Sequence, residues 1–263
     1  MCGNNFQVFS KVRIRRVNLS NHTTTLQMVL FALSIAPGIA ISLYFFFKDE
    51  YNREPRRHVI ISFFLGMVSA LLAGVIESVA LALTGDNGSE SILFTALKAF
   101  LIVGFTEEWC KYLMVKKYAF PKPEFDEPFD GIVYAVMVSM GFATLENILY
   151  VMEHGLATAI IRMFLSVPAH ACFAVLMGYY LGMARFKHIE KGWYLMRGVL
   201  AATFFHGCFD FFLFLQENQL VAEKVSGLLL IGGAIGSYVV AIRLSRRAIR
   251  VHMQTSRRLH GEG

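Results

Sequence analysis

The sequence predicts an all-α protein, a polytopic membrane helix bundle of about seven transmembrane helices. Of its 263 residues, 56% are hydrophobic and only 17% charged, against about 25% charged in an ordinary soluble domain. The apolar residues gather in runs that approach or exceed the ~20 residues a helix needs to cross a bilayer. The positive residues fall in the short loops and tails between those runs, where they set membrane orientation.

Taken in order, the first run is Leu26 to Phe47, interrupted by Pro37-Gly38, where a kink is expected. The second is Val59 to Leu83 and the third Ile92 to Val115. The fourth, Ile132 to Met152, has Asp130 placed before it as an N-cap. The fifth, Leu156 to Ala184, is expected to break near Pro168. The sixth is Leu195 to Leu215 and the seventh Val225 to Ile242. This divides the chain into a polar basic segment (1–25), a transmembrane domain (26–242) and a basic cytoplasmic tail (243–263).

Loop charge gives the orientation. GDNGSES after the second run and EHG after the fourth hold no Lys or Arg, and QENQLVAEK after the sixth holds only Lys224. The opposite loops carry Lys116, Lys117, Lys122, Arg185, Lys187, Lys191 and Arg197, and the tail is strongly basic. The positive-inside rule puts these loops and the C-terminus in the cytoplasm. Lys11, Arg13, Arg15 and Arg16 resist this scheme, because seven spans would place them outside. The net charge of +6 forms no Arg/Lys stripe that would track a phosphate backbone, so nucleic acid is excluded as a partner. Membrane lipid is the expected surroundings. Cys2, Cys110, Cys172 and Cys208 make no CxxC and no disulfide framework. The first 25 or so residues lack the apolar core of a cleaved signal peptide.

Polar residues inside the apolar runs carry the chemistry. A charged residue at a helix centre costs ~2.5–3.5 kcal/mol on insertion scales, so it needs a partner. The third run holds Glu107, Glu108 and Lys111; the fourth Glu146 and Asn147; the fifth Arg162, Ser166 and His170; the sixth His206 and Asp210. Glu107 and Lys111 are i,i+4, as are His206 and Asp210, so each pair shares a face. Residue by residue there are bland readings. A lone intramembrane His or Asn is most simply interhelical glue, and Gly178/Gly182 and Gly232/Gly236 most simply mark close packing. Glu77 and Lys98 lie nearer span ends, where they snorkel. Together, however, the acids and imidazoles of four consecutive spans come out near mid-depth, with His206 deeper toward the cytoplasm. Such a cluster in low dielectric repels itself or takes up protons, and a divalent cation resolves this. His nitrogen and carboxylate oxygen suit Zn²⁺, and a spare glutamate serves as base for the metal's water. There is no HExxH.

TEEWCK, GFATLENILY, RMFLSVPAH and HGCFD, in this order on separate spans, resemble the EExxK, FxxxEN and HxxxD motifs of the PrsW family of intramembrane proteases, relatives of the CAAX prenyl endopeptidases. The likeness runs from about Ser34 to Ile242, and SIAPGIAISLYFFFKDEYNREP and FDEPFDGIVY share it. It implies a site-1 protease of a Gram-positive plasma membrane. Such an enzyme cuts a single-pass membrane anti-sigma factor on its extracytoplasmic side under envelope stress, and a second intramembrane protease acts downstream. By motif, Glu107 and Glu108 are the catalytic pair with Lys111 as partner; Asn147 and Asp210 are counted with them, and Glu146, His170 and His206 are assigned to the metal. The motifs do not fix whether water is activated by a metal or by glutamate alone; a metal explains the charge crowding. A CAAX-like protease with another substrate, a proton- or ion-coupled transporter and a non-catalytic receptor are the competing readings. The transporter expects matched broken helices in two halves, whereas Pro37-Gly38 and Pro168 are unmatched.

Overall fold

The computed structural model describes the backbone of residues 5–84, 91–187 and 189–260, and side chains from Thr25 onward within those ranges. The N-terminal basic side chains, Cys2 and most of the GDNGSES loop lie outside the described residues. The elements are α1 (Asn5–Lys48), α2 (Arg56–Thr84), α3 (Ile92–Leu97), α4 (Thr106–Met114), α5 (Pro128–His154), α6 (Leu156–Phe164), α7 (Ser166–Phe186), α8 (Lys191–Phe214), α9 (Gln219–Ala222) and α10 (Gly227–His260). Two π-helical stretches, Lys98–Phe105 and Val115–Ala119, flank α4 and join it to α3 in one continuous helical segment. Among the described residues, six helical segments are long and apolar enough to cross a membrane, α6 and α7 counting as one. The segment from Ile92 to Ala119 completes the seven predicted runs, although its charges and its changes of helix type set it apart.

α5 is the axis of the bundle. Ile132, Val133, Tyr134, Val136, Met137 and Met140 are all fully buried, and α1, α2 and α7 pack around it. Its start differs from the prediction. Asp130 is not the N-cap: Glu127 is, with φ −133° and ψ 160°, and Pro128 follows in the first turn. Proline suits that position because its missing N–H would be unpaired there anyway. The Asp130 carboxylate instead accepts from the backbone N–H groups of Asp126 (2.9 Å) and Glu127 (2.8 Å), binding the linker to the helix.

Glycines let the helices approach closely. A Cβ on Gly66 would collide with the Val138 carbonyl, and one on Gly141 with the Phe63 carbonyl, so α2 and α5 meet backbone to backbone. Gly131 faces Gly178 and Gly182 in the same way across α5 and α7. Gly178 and Gly182 therefore pack as their spacing predicts, but Gly232 and Gly236 face open space. Gly131→Val must separate α5 from α7. It is expected to cost about 1–3 kcal/mol or more by overpacking, seen as a lowered unfolding temperature in detergent.

The predicted break in the fifth run falls at Leu165 (φ −117°, ψ −68°), three residues before Pro168. Pro168 then lies in the first turn of α7, where its lack of an N–H does no harm. Pro37 lies inside α1, which remains one helix. α10 continues to His260 and buries Ala241, Ser245, Ala248, His252 and Ser256 along one stripe, with arginines on the outside.

The bundle has two distinct ends. At the basic end, Asn52 donates to Asp126 (2.8 Å), His58 meets Tyr118 (2.8 Å), and Arg185 reaches the carbonyls of Phe125 and Lys122. The C-terminal His260 lies 3.4 Å from Glu127 there. The opposite end carries His154, Gly155 and the turns after α8. Leu30 of α1 packs there on Val151 and Ala159, so the early part of α1 and the end of α10 lie at opposite ends.

The basic end hides acids. Asp49, Glu54 and Glu127 are almost fully buried, and Tyr134 donates its hydroxyl to Glu54. Burial raises Asp49 to about 6 and Glu54 and Glu127 to about 7. A carboxyl raised in the folded state binds its proton there more tightly than in the unfolded chain. Stability from these groups is thus highest below pH ~4.5 and is lost as pH rises toward 7. The unfolding temperature is expected to fall by a few °C between pH 5.5 and 8, and Glu54→Gln, which stays neutral, is expected to shrink that fall.

Candidate active site

α4 presents Glu107, Glu108 and Lys111 to the interior, and all three are buried. The i,i+3 and i,i+4 spacing lets one ammonium serve both carboxylates: Lys111 Nζ donates to Glu107 Oε2 (3.0 Å) and Glu108 Oε1 (2.8 Å). It lies 3.3 Å from His170 Nδ1 and 4.0 Å from the centre of the Phe142 ring. In low dielectric an ion pair needs such additional partners to offset its desolvation.

The two histidines, on α7 and α8, are used alike. His206 Nδ1 lies 2.9 Å from Glu108 Oε1 and its Nε2 is 3.2 Å from Asp210. His170 directs Nδ1 to Lys111, and its Nε2 is 3.0 Å from Glu146. Each imidazole thus turns Nδ1 to the α4 cluster and Nε2 to a carboxylate. The rings stand edge to face, 5.0 Å apart, and Phe173 stacks on His206 at 5.2 Å. The same Glu146 oxygen, Oε2, also pairs with Arg162 (2.9 Å).

Glu107, Glu108, His170 and His206 each offer a ligand atom within 4.8 Å of the others, and all four are buried. These N/O donors suit a divalent cation. Charge agrees: with neutral imidazoles, Glu107, Glu108, Glu146 and Asp210 face only Lys111 and Arg162, leaving two negative charges. Glu108 Oε2 is buried with no donor, a lone pair available to a cation. Glu146, expected as a ligand, is not one of the four. Asn147 lies outside the cavity lining. Its amide donates to the Ser34 carbonyl (2.8 Å) and accepts from Arg162 (3.0 Å), tying α1 to the loop side of the site. Of the described cysteines, Cys172 offers its carbonyl to Ser245, and none joins the cluster.

A cavity of about 450 Å³ adjoins the cluster, lined by Glu107, Glu146, His170, His206, Asp210 and Arg162 among others. It extends to Leu149, Tyr150, Phe214 and Glu217, which lie toward the end opposite the basic one. His170 is one turn into α7, and Asp210 one turn, about 6 Å, from the end of α8. Within the joined span Leu156–Phe186, His170 lies near the middle.

Glu77 was read from sequence as a bland span-end residue, yet it lines this cavity from α2. Its spacing along a lipid-facing helix gave no sign of the cavity. Arg162, Ser166 and His170 all line the cavity, as their four-residue step predicts.

Comparison with known proteins gives the family. The chain matches the family described as PrsW family intramembrane metalloprotease over residues 54–245. It is 42% identical to Protease PrsW of Geobacillus kaustophilus over 189 residues, covering 72% of this chain and 81% of that protein. With Protease PrsW of Bacillus subtilis it is 40% identical over 192 residues, 73% of this chain and 85% of that protein. With that of Clostridioides difficile the identity is 31% over 202 residues, 74% and 84%. No solved structure matches the chain. With a buried carboxylate–imidazole cluster opening on a cavity within a helical bundle, and with these relatives, the chain belongs to the PrsW family of intramembrane metalloproteases.

Proposed function

We propose that the protein makes the first, extracytoplasmic cut in a single-pass membrane anti-sigma factor, with the basic end and the C-terminus in the cytoplasm. The observation that supports this reading most directly is the cavity. It brings Glu107, His170 and His206 to a space that opens away from the basic end. By the positive-inside rule that end lies in the cytoplasm, so the cavity faces the side where such a cut is made. A second intramembrane protease then completes release.

His170, His206 and Glu108 would hold a divalent ion, Zn²⁺ by donor chemistry, leaving Glu107 toward the cavity. When bound, the ion acidifies a water and polarises the scissile carbonyl. Glu107, which lines the cavity, takes the water's proton as general base and returns it to the departing amine. Asp210 and Glu146 each hold an imidazole by Nε2, the outer carboxylate–histidine arrangement that orients a ligand ring. Arg162 fixes Glu146, and Asn147 fixes Arg162; both are positioning residues. Phe142 and Phe173 keep bulk water from the inner side.

One observation favours a glutamate-only variant of this reading. The Lys111 ammonium already contacts Glu107, Glu108 and His170, so it supplies part of the positive charge a metal would bring. Elemental analysis of purified protein, together with cleavage of a single-pass anti-sigma substrate in proteoliposomes, separates the two. The metal mechanism expects about one equivalent of divalent ion in wild type, loss of it in His206→Ala, and a cut on the extracytoplasmic side. Metal-free wild type with full cleavage selects the glutamate mechanism, and absence of any cut in the substrate overturns the function.

A further inference from the structure

Of the acids that line the cavity, Glu77 stands apart. It comes from α2, whereas Glu107, Glu146 and Asp210 come from α4, α5 and α8. Two turns separate it from the end of α2 at Thr84, so it faces the cavity's outer part. Each of those three has a cation or an imidazole: Glu107 has Lys111, Glu146 has Arg162 and His170, and Asp210 has His206. Among the described residues Glu77 has no ion pair, and its Oε1 is buried with no hydrogen-bond donor.

A buried carboxylate oxygen without a donor is costly, because it has lost water and gained nothing. Glu107 and Glu146 share its lining and oppose its charge, while Lys111 and Arg162 are already paired with them. Glu217, exposed in the turn after α8, adds a further acid to the same lining. The cavity's own cations are engaged elsewhere. A neutral amide from a substrate backbone would supply a hydrogen bond but leave the repulsion. A cationic side chain supplies both the donor and the opposite charge.

We propose that Glu77 is a specificity-determining residue that receives a lysine or arginine side chain of the substrate, from the segment just outside the membrane beside the scissile bond. This deepens the protease reading and rests on it. Glu217 draws the same cation toward the cavity from the rim. The selection is discriminating because positive residues are depleted on the outer flank of membrane spans. An outer-flank Lys or Arg therefore marks a minority of single-pass proteins.

The test uses full-length protein in detergent and three synthetic peptides. Each has one apolar helix of about 20 residues and the same outer flank, carrying Lys, Gln or Glu at one position. Binding is read by fluorescence anisotropy on Glu107→Gln protein, so the answer does not depend on turnover, and cleavage of the same peptides is read on wild type. The expected result is at least tenfold tighter binding of the Lys peptide than of the Gln peptide. The preference is expected to vanish in Glu107→Gln/Glu77→Gln and to invert toward the Glu peptide in Glu107→Gln/Glu77→Lys, with unfolding temperatures confirming folded protein. Equal binding of the Lys and Gln peptides, or a preference that survives both Glu77 changes, overturns the proposal. A Lys preference in binding with no cleavage of any peptide by wild type leaves Glu77's role standing and removes the protease reading instead.

Discussion

Glu107→Gln is expected to lower cleavage of a membrane substrate by at least about 10³-fold while the protein stays folded. General-base catalysis contributes about 10²–10⁴-fold, and Gln cannot take a proton. The change is isosteric and Gln still accepts from Lys111, which keeps Glu108 at 2.8 Å as its second partner. Glu107 lines the cavity, whereas Glu108 is 1% exposed and faces inward to Lys111 and His206. The adjacent acids are therefore expected to differ: Glu107→Gln should act on kcat with the metal retained, and Glu108→Gln should lower metal content as well. Steady-state kinetics and elemental analysis on the two proteins check this. Cleavage by Glu107→Gln within threefold of wild type would remove it from the base's role.

Lys111→Met is expected to give the largest loss of stability of any single change at the site, about 3–5 kcal/mol, the usual cost of stranding a buried charge partner. Lys111 is 1% exposed, and its loss leaves Glu107 and Glu108 facing each other without a cation. The loss is expected in chelator. Added Zn²⁺ should restore much of it, because the metal and the ammonium draw on the same carboxylate oxygens. Lys111→Met with Glu107→Gln and Glu108→Gln should be closer to wild type than Lys111→Met alone, since no charge remains stranded. Unfolding temperature in detergent, with and without metal, decides; an unchanged temperature in chelator would show that the acids find protons instead.

How much of this was legible in the sequence differs from residue to residue. The helices follow from apolar runs, because a lipid environment demands helices and leaves long signals. The i,i+4 pairs Glu107–Lys111 and His206–Asp210 were readable because helical spacing is local, and both form. The π-helical stretches around α4 were not, since they depend on how the neighbouring helices pack and not on local composition. Asp130 was misplaced as the N-cap because Glu and Asp in DEPFD compete for that role, and the register of Pro128 decides. Which carboxylates face the ligand atoms and which stand behind the histidines needed three dimensions. Glu146 and Asp210 serve imidazoles from 24 and 4 residues away, and only the second distance is a helical repeat. Glu77 was missed because a lone acid on a lipid-facing helix carries no periodic partner.

The wall between the cluster and the basic end has a consequence for bioenergetics. Below the catalytic groups lie Ile132, Val133, Met137 and Met177, each no more than 1% exposed. In the proposed orientation, with the basic end in the cytoplasm, that apolar layer would carry most of the transmembrane voltage. The acids lining the cavity would then answer to the acidity of the medium outside the cell and not to that of the cytosol.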